Sequence, residues 1–448
     1  VAIVLVFVAA IIALSNQSPS TTFPDYQDYT DNYWDQPFPT QQSVVVPSLD
    51  LFVATDSMLQ PRARHTATLL ADGRVLIAGG TNAGVPTTAA EVYDPIAGRF
   101  AAVASMLEAR SDQTATLLDD GRVLVAGGTG EAGAPLMSTE LFDPVTGEFR
   151  EGPVLIAAVT DGSAVRLKDG RVAILGGAGP SDELATVQVF DPATGQISEP
   201  WPDFAVAAAG ARAAELPDGR IFAAGGSMPD GTQLGVGQVF EPGTGQLQKI
   251  QLLSGSDDPA VCVLSDGRVA LIGGLSYGIA NGVAEIVDPT VGTSYQVDLV
   301  VPRGWASATP LPDGSVLIVG GVDGSGVATS SIELLYPDKQ WSEPIGTLAQ
   351  ARSAQTVTVL ADGRFLLAGG ADRWSNSLSG AGLYVPSGVV VTPVDAASAE
   401  PPAVEPPADE SPSIEPPPPG STRPVDDPAS PDGAASESPA VPSLAGPA

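Results

Sequence analysis

Four arginines, Arg62, Arg110, Arg303 and Arg352, each stand ten residues ahead of an Asp-Gly step. Arginine offers five donors in a rigid fork that matches carboxylates, and with tryptophan it is a residue type that anchors interfaces. Trp305 follows Arg303 by two residues, and Asp372, Arg373 and Trp374 follow a Gly-Gly pair after one alanine. These eight residues form the candidate binding set. The catalytic repertoire is narrow by contrast. His65 is the only histidine and Cys262 the only cysteine, which leaves no histidine-rich or cysteine-rich metal site and no intrachain disulfide. With no serine elbow in the chain, His65 reads as a satisfied loop or strand residue. Cys262, within Val261-Cys-Val-Leu264, reads as a buried strand residue. Asp and Glu together number 52, too many for one pair to stand out as an acid-base couple or a calcium site, and no EF-hand spacing occurs. The Gly-Gly pairs lack the Lys and the helix of a phosphate loop. No catalytic residue, cofactor or metal is therefore assigned, and a binding surface is favoured over an enzyme.

The elements that must position these residues follow a repeat. Asp-Gly steps begin at Asp72, Asp120, Asp169, Asp218, Asp266, Asp313 and Asp362, and glycine pairs begin at Gly79, Gly127, Gly176, Gly225, Gly273, Gly320 and Gly369. A period near 50 residues marks a radial or solenoidal repeat. In the first unit, Thr66 to Leu70 alternates, Asp72-Gly73 supplies the positive φ angles of a two-residue hairpin turn, and Arg74 to Ala78 runs back. Ala90 to Tyr93 is a third strand, and Asp94-Pro95 turns the chain into a fourth beginning Arg99-Phe100. A four-stranded unit cannot bury both faces alone, so seven of them must stack and close. The predicted fold is all-β, a seven-bladed propeller over residues 48–393. Its unit-linking loops and its loops after Gly-Gly share one face, and the Asp-Gly and Asp-Pro turns share the other. Ring closure has two candidates. Leu51 to Met58 matches the fourth-strand segment Arg99 to Met106 and is favoured, while Gly388 to Val391 could close the ring in sequence.

The recurring Arg, Asp-Gly-Arg-Val, Gly-Gly, Glu-x-Tyr-Asp-Pro and Thr-Gly pattern resembles bacterial kelch repeats, and is similar to the central propeller of galactose oxidase, over about residues 51–393. The fourth strands depart from the family by carrying Phe100, Phe149, Ile197 and Leu247 near its Trp, with Trp341 the better match. The galactose oxidase resemblance implies a copper and tyrosyl-radical site, which in that family needs two histidine ligands and a cysteine-crosslinked tyrosine. One histidine and one strand cysteine cannot supply it.

Two readings of the arginines stand side by side. They fall on units six, seven, one and two, neighbours around a closed ring, as a binding surface requires. Glu91, Glu140 and Glu333 also occur in three of those units, while units three and four carry Gln188 and Gln238 and lack the Arg. Arg-Glu pairing within a unit would explain that joint presence, although Glu285 and Arg352 have no mate in their own units. Arg373 and Trp374 sit in a loop without a repeat counterpart and point to contact with a ligand or partner.

The flanks differ in composition. Residues 1–14 are uncharged and apolar, which suits a signal-peptide core or part of a membrane anchor, and residues 15–47 read as a flexible linker. No Lys or Arg precedes Arg62, which places the repeats outside the cytoplasm. Residues 394–448 hold fifteen prolines and ten acids and read as a disordered tail. The net charge of -32 repels phosphate backbones, so nucleic acid is not an expected partner. The expectation is a secreted or membrane-tethered monomer that touches membrane only through its N-terminal segment. It would hold a protein or glycan on its loop face. The alternative is a carbohydrate-active hydrolase or lyase with acidic residues on that face.

Overall fold

The computed structural model describes residues 52–181, 184–199, 209–228 and 230–386. The apolar run 1–14, the linker, the tail and the alternative closing segment Gly388 to Val391 lie outside these residues. Among the described residues no helix is long and apolar enough to cross a membrane.

The described residues form a seven-bladed propeller of four-stranded antiparallel blades. Blade one comprises Thr66–Leu69, Val75–Ala78, Ala90–Asp94 and Arg99–Ala102, and blade six Ser307–Pro310, Val316–Val319, Ser331–Tyr336 and Trp341–Thr347. The first strand of each blade lies next to the first strands of its two neighbours, and the series returns from Thr356–Val359 to Thr66–Leu69. The core lies between blades. Leu76, Ala78 and Val92 of blade one pack on Val123, Val125 and Phe142 of blade two. Both faces of every second strand are covered by flanking blades, which is why Val75 to Ala78 is apolar without alternation and buried throughout.

Phe52–Ala54 pairs antiparallel with Ala381–Tyr384, so the N-terminal strand completes blade seven. Phe52 sets its ring 5.5 Å from that of Tyr384. The first and last described strands are thereby joined in one sheet, and opening the ring requires breaking it.

The Asp-Gly turns differ from the two-residue expectation. Leu70 N–H donates to Arg74 O across three residues, and Gly73 N–H donates to Leu70 O. Only the glycine has positive φ, at +87°, as in a type I turn followed by a left-handed glycine. The aspartate has another task. Asp72 accepts the Arg74 N–H at 3.0 Å and its guanidinium at 2.8 Å, and the same bond from Arg122 holds Asp120 below the usual carboxylate range. At the glycine pair a side chain is excluded: a Cβ on Gly79 would lie 2.6 Å from Arg110 O, and one on Gly80 2.5 Å from Ala63 O. Among the described residues, six blades receive the backbone of the next there, as Gly80 N–H donates to Arg110 O.

Candidate functional site

The arginine column turns inward. Arg62, Arg110 and Arg303 are at most 1% exposed. Arg62 donates to Gly79 O, Ala89 O and Glu91 Oε1 at 3.0, 2.8 and 2.7 Å. Arg110 pairs with Glu140 at 2.8 Å and Arg303 with Glu333 at 2.9 Å, each with matching bonds to the first glycine of its pair. The surface role expected for these residues is corrected to the pairing alternative, because a guanidinium sealed between two blades has no face to offer a partner. Arg352 is also buried and binds Gly369 O and Gly380 O. Burial pulls it down to about 10. The third-strand carboxylates also cap the segment entering their blade: Glu91 accepts Leu59 N–H, Glu140 Leu107 N–H, Glu285 Leu253 N–H and Glu333 Val300 N–H, as Gln188 does for Ile156.

Two residues after the four arginines, and after Val159, Ala208 and Ser256 at the same place in the other three blades, the chain reaches a different ring: Arg64, Asp112, Asp161, Gly210, Asp258, Trp305 and Ala354. All seven have positive φ, between +50° and +70°. Six of them carry a side chain in a conformation L residues seldom adopt. Backbone bonds link the members around the axis: Arg64 N–H to Ala354 O, Asp112 to Arg64, Asp161 to Asp112, Asp258 to Gly210 and Ala354 to Trp305. This ring bounds a cavity of about 670 Å³ at the mouth of the central channel.

Charge is arranged unevenly around the mouth. Arg212 bridges Asp161 at 2.8 Å and Asp258 at 2.5 Å, joining blades three, four and five. Trp305 Nε1 donates to Asp258 at 3.2 Å. Arg64 lies 3.5 Å from Asp112 and 5.7 Å from the centre of the Trp305 ring, with 49% of its side chain exposed. Burial pushes Asp258 up to about 6, assisted by neighbouring Asp161, although Arg212 opposes the rise. Burial also opposes ionisation of Asp161, but Arg212 and Arg64 outweigh it and hold that carboxyl low. His65 lines the same cavity. Its Nε2 lies 3.0 Å from Thr356 Oγ1 and its buried Nδ1 has no partner, while burial and Arg62 bring it down to about 3, so it is neutral at physiological pH.

A second cavity of about 300 Å³ adjoins the mouth between blades six, seven and one, and shares Arg64, Trp305 and Ala354 with it. Asp372 and Arg373 form part of its wall, so three of the eight candidates, Trp305, Asp372 and Arg373, meet here. Trp374 is 71% exposed with the Arg373 guanidinium 4.9 Å from its ring. Asp372 is a turn former that accepts the N–H groups of Trp374 and Asn376. Blade six has the same turn, in which Asp323 accepts from Ser325 and Val327. The loop is therefore not without a repeat counterpart. Only the Arg373-Trp374 pair is new, in place of Gly324-Ser325.

Arg64, Asp112, Asp161, Arg212 and Asp258 escaped the sequence reading. For all but Arg212 the signal was a column two residues beyond the arginines, rich in charge and in Asp and Gly, which accept left-handed backbone more readily than most residues.

No family model and no curated protein matches the chain. Among solved structures, the propeller is similar to a novel fungal alcohol oxidase of the AA5 family solved in complex with copper. The TM-score is 0.61 at 18% identity, over 75% of this chain and 76% of that one. YjhT matches with a TM-score of 0.51 at 15% identity, over 75% of this chain and 99% of that one. The fold is thus galactose-oxidase-like. Residues here do not fit copper: the described residues contain no group of three His, Cys, Asp or Glu placed to hold a metal. His65 is engaged with Thr356, and burial pushes the Cys262 thiol up to about 12 within its strand.

Proposed function

We propose that this chain is an extracytoplasmic binding propeller with kelch-like blades, and that it holds a protein or glycan ligand at the loop-face mouth of its channel. The reading is carried by one observation: every blade contributes a left-handed residue to a ring around a 670 Å³ cavity, and five of the seven members are charged or aromatic. Strained backbone sustained around a cleft is a feature of ligand sites. A mixture of Arg64, Trp305 and carboxylates suits a polar ligand with a face to stack and groups to hydrogen-bond. The placement outside the cytoplasm is supported by the apolar run 1–14 and the lack of Lys and Arg before Arg62.

Binding is favoured over glycoside hydrolysis by the acid pair at the mouth. Asp161 and Asp258 both pair with Arg212, at 2.8 and 2.5 Å, which ties the two carboxyls to one guanidinium, whereas a glycosidase needs one carboxyl to protonate the leaving group and the other to attack or to activate water. The test is a combined glycan and protein array probed with the full chain and with an Arg64→Ala/Trp305→Ala variant. Signals that vanish in a folded variant support the reading; signals equal in both proteins overturn it.

A further inference from the structure

Blade five contains the arginine socket without the arginine. In blades one, two and six the guanidinium sits seventeen residues before the first glycine of the pair and donates to that glycine's carbonyl. It also donates to the carbonyl two residues ahead of the third-strand glutamate, and to the glutamate itself. The corresponding residues of blade five are Ser256, Gly273, Val283 and Glu285. All four line one cavity of about 10 Å³, which Ser254 and Asn281 also border.

The anionic half of the socket is intact. Glu285 is 2% exposed and accepts Leu253 N–H at 2.7 Å, Ser294 Oγ at 2.6 Å, and Ser254 N–H and Oγ at 3.1 and 3.3 Å. Glu333 of blade six accepts the equivalent Val300 N–H and Ser342 Oγ, and has Arg303 in addition. Val283 O accepts Gly273 N–H at 3.0 Å just as Ala89 O accepts Gly79 N–H, which leaves its second lone pair in the place where Arg62 binds Ala89. A buried carboxylate is costly unless a cation or a full set of donors compensates it. Glu285 has neutral donors corresponding to those of Glu333, and lacks the guanidinium that Glu333 also holds.

We propose that the blade-five socket binds a monovalent cation the size of a water molecule, potassium or ammonium, between Glu285 and the carbonyls of Gly273 and Val283. A cavity of this size admits one water-sized occupant. One carboxylate among neutral oxygens matches a single positive charge, and oxygen donors are the ligands hard cations take. The ion replaces, as a diffusible part, the guanidinium that three other blades supply covalently, and it joins the second and third strands of blade five to the segment entering it.

The test exchanges the full-length protein into tetramethylammonium chloride, whose cation is too large for the cavity, and follows its melting temperature as potassium or ammonium is substituted at constant ionic strength. A saturable rise of about 2–4 °C is expected, with the ion of lower midpoint identified as the preferred occupant. Ser256→Arg fills the socket covalently and should melt higher in tetramethylammonium while losing the response, and Glu285→Gln should lose the response. Identical melting in all three salts, or a response undiminished in both variants, means that the cavity holds water only and overturns the proposal. Should either variant fail to fold, thallium(I) soaked into crystals of the unmodified protein decides: an anomalous peak beside Glu285 sustains the site, and its absence refutes it.

Discussion

Arg62 lies sealed against Glu91, whereas Arg64, two residues further along the same segment, keeps half its side chain in solvent between Asp112 and Trp305. The difference recurs around the molecule as two concentric systems. The outer one consists of spokes: single buried guanidinium groups, each held by two backbone carbonyls and most also by a carboxylate of the same blade. The inner one is shared: Arg212 serves two aspartates from two other blades, and Asp258 serves Arg212 and Trp305. Buried, private pairs make architecture. Partly exposed pairs shared across blades leave donors and acceptors for a ligand.

The contrast can be broken most forcefully at the ring seam. Removing residues 52–54 strips blade seven of its fourth strand, and the melting temperature measured by calorimetry should fall by about 10 °C or more. An unchanged melting temperature would mean that chain beyond residue 386 closes the ring instead. Next come the spokes. Arg303→Ala leaves Glu333 buried without its cation and should cost about 3–5 kcal/mol in denaturant unfolding, while Arg64→Ala should change stability by less than about 0.5 kcal/mol. Similar losses for the two would erase the distinction between the systems.

At the mouth the effects move from stability to affinity. Trp305→Ala and Arg64→Ala should each weaken capture of an array-identified ligand by about 10- to 30-fold, in the range of interface anchors. Arg373→Ala, on the adjoining cavity, should weaken it less. The smallest effect is a pH dependence. The Asp258 carboxyl titrates higher in the folded chain than in the unfolded chain, so its contribution to stability is complete below about pH 4 and is lost as pH rises through about 6. Asp258→Asn should therefore gain stability relative to the unmodified protein at pH 7.5 and not at pH 4. A constant difference across that range would show that Asp258 ionises normally.

The fold was legible because the repeat is a ruler. Asp-Gly, Gly-Gly and Asp-Pro recur in register, and the match of Leu51 to Met58 with Arg99 to Met106 pointed to the closing strand. Turn detail was less legible, since Asp-Gly reads alike in two-residue and three-residue turns until the Leu70 N–H to Arg74 O bond is seen. The candidate site was legible only at Trp305, Asp372 and Arg373. Arginine identity alone does not separate a spoke from a lining residue. That depends on how far along the segment entering the first strand the residue lies, and two residues decide it. Arg212 was harder still, because it lies on the first strand of blade four, outside both columns, and its partners come from blades three and five.

The central claim is that the ligand is held at the channel mouth and not on the opposite face, where the turn residues Ile96 and Val145 are exposed. The most direct measurement compares array binding by the full chain, by Arg64→Ala/Trp305→Ala and by Ile96→Ser/Val145→Ser, after unaltered melting temperatures establish that both variants are folded. Loss of signal in the first variant and retention in the second is the predicted result. Retention in the first with loss in the second would contradict it.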